Sequence, residues 1–388
     1  MVSKYSFIEQ ELADIRSKNT HRAMRSVSLC GTHAKVDNKD AVLLCSNDYL
    51  GLSQHKRVLS QTVRALKQIS QCSSRLIAGN TREVTDLEKK LAEHRNTESA
   101  LVYPSGYMAN LGAITAISGE GSTVFSDELN HRSIIDACKL SGAKVKIFPH
   151  NDDESLAKMM SRIPGRKIVV TEGLFSIDGD MANLKKICEL AKEQNALVVV
   201  DDAHGDFVFG STGSYSGVST HLGVDDLVDI HISSLSKALG CFGGYVATTS
   251  ILKEFLVNKS LQFIFTSALP SHICASALAA IPLALEGGLQ RKLFKNVRYF
   301  SRRLVKRGFL QSTSCSQIIP IWIGDEKTAL SLSNELLECG AFVHPIRYPT
   351  VKKGSSRLRV TLSSSHTISE LDHSIDSLET VGKKYHIV

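Results

Sequence analysis

The chain has 388 residues, 43% of them hydrophobic and 22% charged, with 46 Lys and Arg against 39 Asp and Glu. That balance excludes a disordered, collagen-like or disulfide-scaffold protein, and the length accommodates a large domain with a smaller companion. The formal charge of +7 suits acidic substrates, but the basic residues are scattered, the densest group being Lys352, Lys353, Arg357 and Arg359, so no nucleic-acid partner is expected.

Residues 6–25 read as an amphipathic helix with Phe7, Leu12 and Ile15 on one side, and residues 1–44 are expected to form an N-terminal helical segment. The first residues lack an apolar targeting core. The nine cysteines are an odd number without a C-x-x-C pair, which reads as free thiols in a reducing compartment. The most apolar stretch, Ile273–Leu285, is shorter than the ~20 residues of a membrane span. A cytoplasmic protein without a membrane partner is therefore expected.

From residue 45 to 270, short β-rich runs alternate with helical patterns. The runs are Ala100–Tyr103, Thr123–Phe125, Val145–Phe148, Ile168–Thr171, Ala196–Val200, Leu227–Ile232 and Tyr245–Thr248, with helices such as Val84–His94 and Leu184–Gln194 between them. This alternation predicts an α/β domain with a central, mostly parallel sheet. Residues 271–388 change character: a long helical region, Ser271–Arg307, precedes Ile318–Ile323, a helix at Ala329–Cys339, Phe342–Ile346, Leu358–Leu362 and a last helix from Ile368. A C-terminal α+β domain is expected there.

In an open α/β sheet, ligands bind at the carboxyl ends of the strands. One strand runs into Asp201-Asp202-Ala203-His204-Gly205 and a later one into Ser233-Ser234-Leu235-Ser236-Lys237, followed by glycines. Alone, Asp201 reads as a cap and Lys237 as a solvated lysine. Together they suit pyridoxal 5'-phosphate (PLP), which needs an amine for a Schiff base and a carboxylate to keep its ring nitrogen protonated. Pro104-Ser105-Gly106-Tyr107 opens a helix after a strand, as a phosphate site requires. His131, after another strand end, is placed to stack on a flat ring or to cap a helix, and Ser176 lies in a polar turn, Thr171–Asp180.

Taken in order, the blocks SNDYLGLS, SRLIAGN, YPSGYMAN, SDELNHRSIIDA, TEGLFSIDGD, DDAHG, SLSKALG with FGGY, FTSALP and RLRVTLSSSHT resemble the α-oxoamine synthase group of fold-type I PLP-dependent transferases, from about residue 7 to the C-terminus. The resemblance implies decarboxylative condensation of an amino acid with an acyl thioester in a homodimer with shared active sites. DDAHG, the segment Ile346–Val351 and Arg22 resemble the biotin-pathway branch, which joins L-alanine to a pimeloyl thioester carried by CoA or acyl carrier protein. The alternatives are a relative using glycine and a short acyl-CoA, or a non-catalytic relative.

By this resemblance Lys237 is the PLP lysine and catalytic base. Asp201 pairs with the ring nitrogen, His204 with the ring hydroxyl, and His131 stacks on the ring as a catalytic and substrate-facing residue. Ser105, Gly106, Tyr107, Ser176 and Ser234 contact the cofactor, and Thr266 reaches a neighbouring subunit's phosphate. Asn47 and Arg359 lie near the amino-acid carboxylate, while Arg22 and Thr350 contact the acyl substrate. Two stretches depart from the group's pattern: Gln71-Cys72-Ser73, where glycines are usual, and Asp206-Phe207, where Thr-Gly is usual. The first puts the shape of a loop at the active site in doubt. The second sets an extra carboxylate beside the site, with a consequence expected for substrate tolerance. No dinucleotide-binding, Walker, zinc or serine-hydrolase motif competes, and no metal is expected.

Overall fold

A computed structural model describes residues 3–388. Packing divides them into two compact units. The larger comprises residues 47–176 and 180–291; the smaller comprises the residues up to Ser46, residues 177–179 and residues 292–388.

In the smaller unit the first helix ends at Ser17, short of the expected residue 25, because Asn19 adopts a left-handed φ of 54°. Arg22 thus lies in irregular chain. The rest of the expected helical segment is a meander of β1 (Val27–Cys30), β2 (His33–Val36) and β3 (Lys39–Leu43). Asp37 and Asn38, both at positive φ, make the two-residue turn that pairs Val36 with Lys39, and β2 alternates exposed and buried residues. The unit is completed by β11 (Ile318–Gly324), β12 (Ala341–Phe342), β13 (His344–Ile346) and β14 (Ser356–Thr361), with helices at Glu326–Glu338 and Ile368–Lys384. β12 joins the meander parallel to β3, and β14 lies between β11 and β13.

The larger unit is built on β4 (Ser99–Tyr103), β5 (Ser122–Asp127), β6 (Lys144–Phe148), β7 (Arg166–Glu172), β8 (Ala196–Asp201), β9 (Ile230–Ser234) and β10 (Gly244–Thr248), in the order β4-β10-β9-β8-β7-β5-β6. Only β10 runs against the rest. β5, β9 and β10 are buried along their whole length, so the polar residues at the ends of β5 and β9, Asp127, Ser233 and Ser234, are buried too. β9 begins three residues later than expected, because Asp225–Leu227 forms a short helical turn; Ser233 and Ser234 therefore end the strand. The helix Ser271–Leu285 packs with the larger unit rather than with the C-terminal residues. Its small side chains lie against the helices at 56–65 and 82–95, tied by Thr62 to Ser276 at 2.7 Å and Thr81 to Ser271 at 3.1 Å. Gly287, at a φ of 76°, separates it from the next helix, Gly288–Lys306. Among the described residues no single helix is long and apolar enough to cross a membrane.

Candidate active site

β4, β5, β7, β8 and β9 run in one direction, so Tyr103, Asp127, Glu172, Asp201 and Ser234 end on the same edge of the sheet. Backbone crowds together there. A Cβ on Gly106 would stand 3.1 Å from the Ser234 Cβ, and one on Gly244 only 2.4 Å from the Gly106 nitrogen. Ser105 caps the helix Gly106–Ile117 by accepting from the Met108 N–H at 3.2 Å. The N–H groups of the first turn, including those of Gly106 and Tyr107, have no acceptor within a helix and make an anion seat. The Tyr107 phenol is turned aside to Asp136 at 2.6 Å, so Tyr107 presents its backbone here.

Asp201, 6% exposed, accepts from Asn110 Nδ2 at 2.6 Å and from the Ala203 N–H at 3.0 Å. Both donors are neutral, and among the described residues no cation pairs with this carboxylate. A buried charge left this way is costly unless a cationic partner arrives. Beside it, in register on β7, is Glu172. Burial, and then the Asp201 charge, push the Glu172 carboxyl up to about 8, so at neutral pH it keeps its proton and Asp201 is the single negative charge of the pair. Glu172 Oε2 accepts the Ser176 N–H at 3.1 Å, which holds Ser176 at the strand end, while Oε1 is buried without a partner. The turn carrying Ser176 is closed by His150, which stands between Asp127 at 3.0 Å and Asp180 at 2.7 Å. Burial opposes the imidazolium, but the two carboxylates outweigh it and bring His150 to about 10.

Lys237 follows β9, and its Nζ lies 3.0 Å from His204 Nε2. His204 Nδ1 meets the Tyr49 hydroxyl at 2.6 Å, and that hydroxyl donates to Asn47 Oδ1 at 3.0 Å. An ammonium on Lys237 donates to Nε2, which places the imidazole proton on Nδ1, toward Tyr49. His131 caps the helix Arg132–Leu140: its Nδ1 accepts from the Ser133 N–H at 3.2 Å and meets Ser133 Oγ at 2.7 Å. The ring is nevertheless exposed. Asn110 Nδ2 also donates to Ser133 Oγ at 2.9 Å, so one amide holds both Asp201 and the His131 support.

These residues fit the expected cofactor. The uncompensated Asp201 suits a protonated ring nitrogen, the Ser105–Tyr107 turn a phosphate, and Lys237 an aldehyde. Within the larger unit the structure thus assembles Ser105, Gly106, His131, Ser176, Asp201, His204, Ser234 and Lys237 along one sheet edge, and ties Asn47 to the group through Tyr49. Thr266 makes no hydrogen bond among the described residues. It neighbours Phe265, 81% exposed, and a β-bridge between Ser74 and Ser267 brings that stretch to the loop of Ile77, 83% exposed. Sequence reading missed Tyr49, Asn110, Ser133 and Glu172. Each lies inside or beside a quoted block, and β7–β8 register alone would have paired Glu172 with Asp201.

The two departures have structural explanations. Cys72 adopts a φ of 52°, a conformation glycine takes without strain, while Gln71 Nε2 donates to Ser271 Oγ at 2.7 Å and the Ser73 carbonyl accepts from the Ala268 N–H. The expectation that Asp206 adds a carboxylate able to affect substrate tolerance is corrected. Asp206 is fully buried, facing Arg95 at 3.3 Å, His94 at 2.8 Å and the Tyr245 hydroxyl at 2.6 Å. Phe207, at a φ of 60°, stacks on His94 with ring centroids 3.9 Å apart. Burial alone would raise the Asp206 carboxyl, yet Arg95 and His94 hold it well below the usual range, while Asp202 is pushed up to about 8 by burial, against Arg95. Asp206 therefore stabilises the fold above its unfolded pKa of about 4, and that contribution is lost only as pH falls through its depressed folded value. Asp206→Asn is expected to lower stability by about 3 kcal/mol, as breaking a buried ion pair does. Urea unfolding checks this, with unchanged KM values for both substrates.

In the smaller unit, Arg22 and Thr350 meet, Arg22 Nη2 donating to Thr350 Oγ1 at 3.4 Å, in a pocket of about 850 Å³. Arg359 lies on β14 opposite Pro320 and His344 and is half-buried.

Residues 39–378 match the family model of aminotransferase class I and II. Over 386 residues the chain is 41% identical to an 8-amino-7-oxononanoate synthase of Geobacter metallireducens, covering 97% of this chain and 98% of the other. Identity to the 8-amino-7-oxononanoate synthase of Citrifermentans bemidjiense is 42%, covering 98% and 99%. Among solved structures, a serine palmitoyltransferase of Sphingomonas wittichii superposes with a TM-score of 0.92 at 30% identity, covering 100% of this chain and 99% of that one. An 8-amino-7-oxononanoate synthase of Francisella tularensis gives 0.74 at 26%, covering 89% and 98%.

Proposed function

The chain belongs to the aminotransferase class I and II family, where it groups with the 8-amino-7-oxononanoate synthases, and from that premise we propose that it condenses L-alanine with a pimeloyl thioester to give 8-amino-7-oxononanoate, CO2 and the free thiol carrier. The observation that carries the reading is Asp201: a buried carboxylate with neutral donors only, on the same sheet edge as an amine and an anion seat.

Pyridoxal phosphate would be held by Lys237 at its aldehyde, by Asp201 at its ring nitrogen, by His204 at its ring hydroxyl and by the Ser105–Tyr107 turn and Ser234 at its phosphate; when bound it would supply an electron sink for the α-carbon of alanine. Asp201 keeps that sink cationic, and the protonated Glu172 leaves it unchallenged as the local negative charge. Lys237 Nζ is the group that removes the α-proton of alanine and later returns one to the product carbon. His204 Nε2 lies within hydrogen-bond reach of that nitrogen, and Tyr49 fixes the imidazole. The exposed face of His131 orders the reacting groups and Asn47 orients the alanine carboxylate; in the smaller unit, Arg359 is a second candidate for a substrate carboxylate, and Arg22 with Thr350 is the candidate receptor for the acyl chain.

The exposed Phe265 and Ile77 beside Thr266 support a homodimer in which Thr266 serves the neighbouring site. The net charge of +7 suits an acidic carrier, CoA or acyl carrier protein. Nine cysteines, none bonded to another, suit a reducing cytoplasm.

The test is turnover of alanine, glycine and serine, each with pimeloyl-CoA and with short acyl-CoAs. Alanine with pimeloyl-CoA is expected to be the best pair; a preference for glycine and a short donor overturns the reading. Arg22→Ala is expected to lower kcat/KM for pimeloyl-CoA roughly ten- to a hundred-fold, the worth of one charged hydrogen bond, and to spare a short uncharged donor.

A further inference from the structure

The pocket around Arg22 is strongly and unevenly charged. Arg25 is neutralised by Asp37 at 3.0 Å, but among the described residues neither Arg22 nor Arg347 makes an ion pair. Arg347 is half-buried, and burial and then the Arg22 charge lower its guanidinium from its usual range. Two like charges are thus held together with no carboxylate at ion-pair distance, Glu326 acting on Arg347 only from farther away, an arrangement that an arriving anion stabilises.

The bonding of Arg347 explains how they are held. Its guanidinium donates from Nη1 to the Asn19 carbonyl and from Nη2 to the His21 carbonyl at 3.5 Å. These are the residues through which the chain leaves its first helix, directly before Arg22. The Arg347 carbonyl in turn accepts from the Thr350 N–H at 2.9 Å. One residue therefore braces both halves of the Arg22–Thr350 pair, its side chain holding the first and its backbone the second. Otherwise Arg22, an exposed arginine on an irregular segment, has among the described residues only Thr350 to orient it.

We propose that Arg347 is a positioning residue that sets donor specificity: it pins the 19–21 backbone so that Arg22 stands beside Thr350 as a receptor for the far carboxylate of a dicarboxylic acyl donor. This rests on the donor reading given above. The role belongs to an arginine, because its planar fork spans two carbonyls where a lysine ammonium is a point charge.

The test uses the PLP-loaded enzyme with alanine and two donors of equal chain length, pimeloyl-CoA and heptanoyl-CoA, the second lacking the far carboxylate. Arg347→Ala is expected to raise KM for pimeloyl-CoA about ten-fold or more, the worth of one charged contact, leaving kcat and the heptanoyl-CoA kinetics nearly unchanged. Arg347→Lys recovers only part of the loss. Because Arg347 acts through Arg22, adding Arg347→Ala to Arg22→Ala costs little more than Arg22→Ala alone. Backbone hydrogen exchange in residues 18–25 is expected to quicken in Arg347→Ala. Equal losses with both donors, full activity in Arg347→Lys, additive losses in the double variant, or unchanged exchange in residues 18–25 would each overturn the proposal. Failure of the wild type to use pimeloyl-CoA instead overturns the donor reading, and the exchange measurement still decides whether Arg347 pins the segment.

Discussion

Lys237→Ala is expected to abolish turnover while leaving the fold intact. The side chain follows β9 in a turn and hydrogen-bonds His204, and losing such a bond costs about 1 kcal/mol of stability. Its chemical loss is far larger, since the same nitrogen is both cofactor anchor and proton carrier. General-base catalysis alone is worth ~10²–10⁴-fold, and loss of the covalent anchor adds to it. Borohydride treatment should fix the cofactor to the wild-type chain and not to the variant, while urea unfolding of the two cofactor-free proteins coincides to within about 1 kcal/mol. Near-normal turnover in the variant would remove Lys237 from the mechanism.

Asp201→Asn is the second large effect, and it separates charge from shape. The carboxylate offers two acceptors, and both are used, by Asn110 and by the Ala203 N–H. An amide offers one acceptor and turns its NH2 on the other donor, so the variant loses the charge and gains one opposed hydrogen bond. Removing a preorganised electrostatic partner typically costs ~10²–10³ in kcat. Exchange of the alanine α-proton with solvent deuterium, followed by NMR, is expected to slow by that factor while alanine still binds. The cofactor-free variant is expected to lie within about 1 kcal/mol of wild type in urea unfolding, the worth of the one opposed hydrogen bond. Wild-type exchange rates would show that another group faces the ring nitrogen.

Much of this site was legible because strand ends and short motifs coincide. Asp201, Ser234 and Lys237 each follow an apolar run, and in a parallel sheet the ends of such runs share one edge. What stayed hidden depends on contacts between distant residues. Nothing in the string VDNKD at residues 36–40 announces a strand pair as strongly as periodicity announces a helix, yet Asp37 and Asn38 are the two-residue turn that makes β2 and β3. Asn110 looks like a routine helix residue until the helix is laid across β8. Asp206 looked like a site carboxylate because it lies five residues from Asp201. The turn after β8 instead carries it into the interior, to Arg95, a residue more than a hundred positions earlier at the end of the helix 82–95.

The pairing of β3 with β12 also has a consequence for how the chain is made. β3 ends at Leu43 and its parallel neighbour begins only at Ala341, so roughly 300 residues must be synthesised between the two, which at ~5–20 residues per second takes about 15–60 seconds. Throughout that time the β1–β3 meander exists without the strand that covers one of its edges, and a few short strands alone are marginally stable. The larger unit, whose sheet is formed from residues 99–248, has all its strands before β12 emerges. The first residues to leave the ribosome are therefore among the last to find their place, and the nascent chain carries an open strand edge that chaperones or fast folding of the intervening unit must keep from pairing elsewhere.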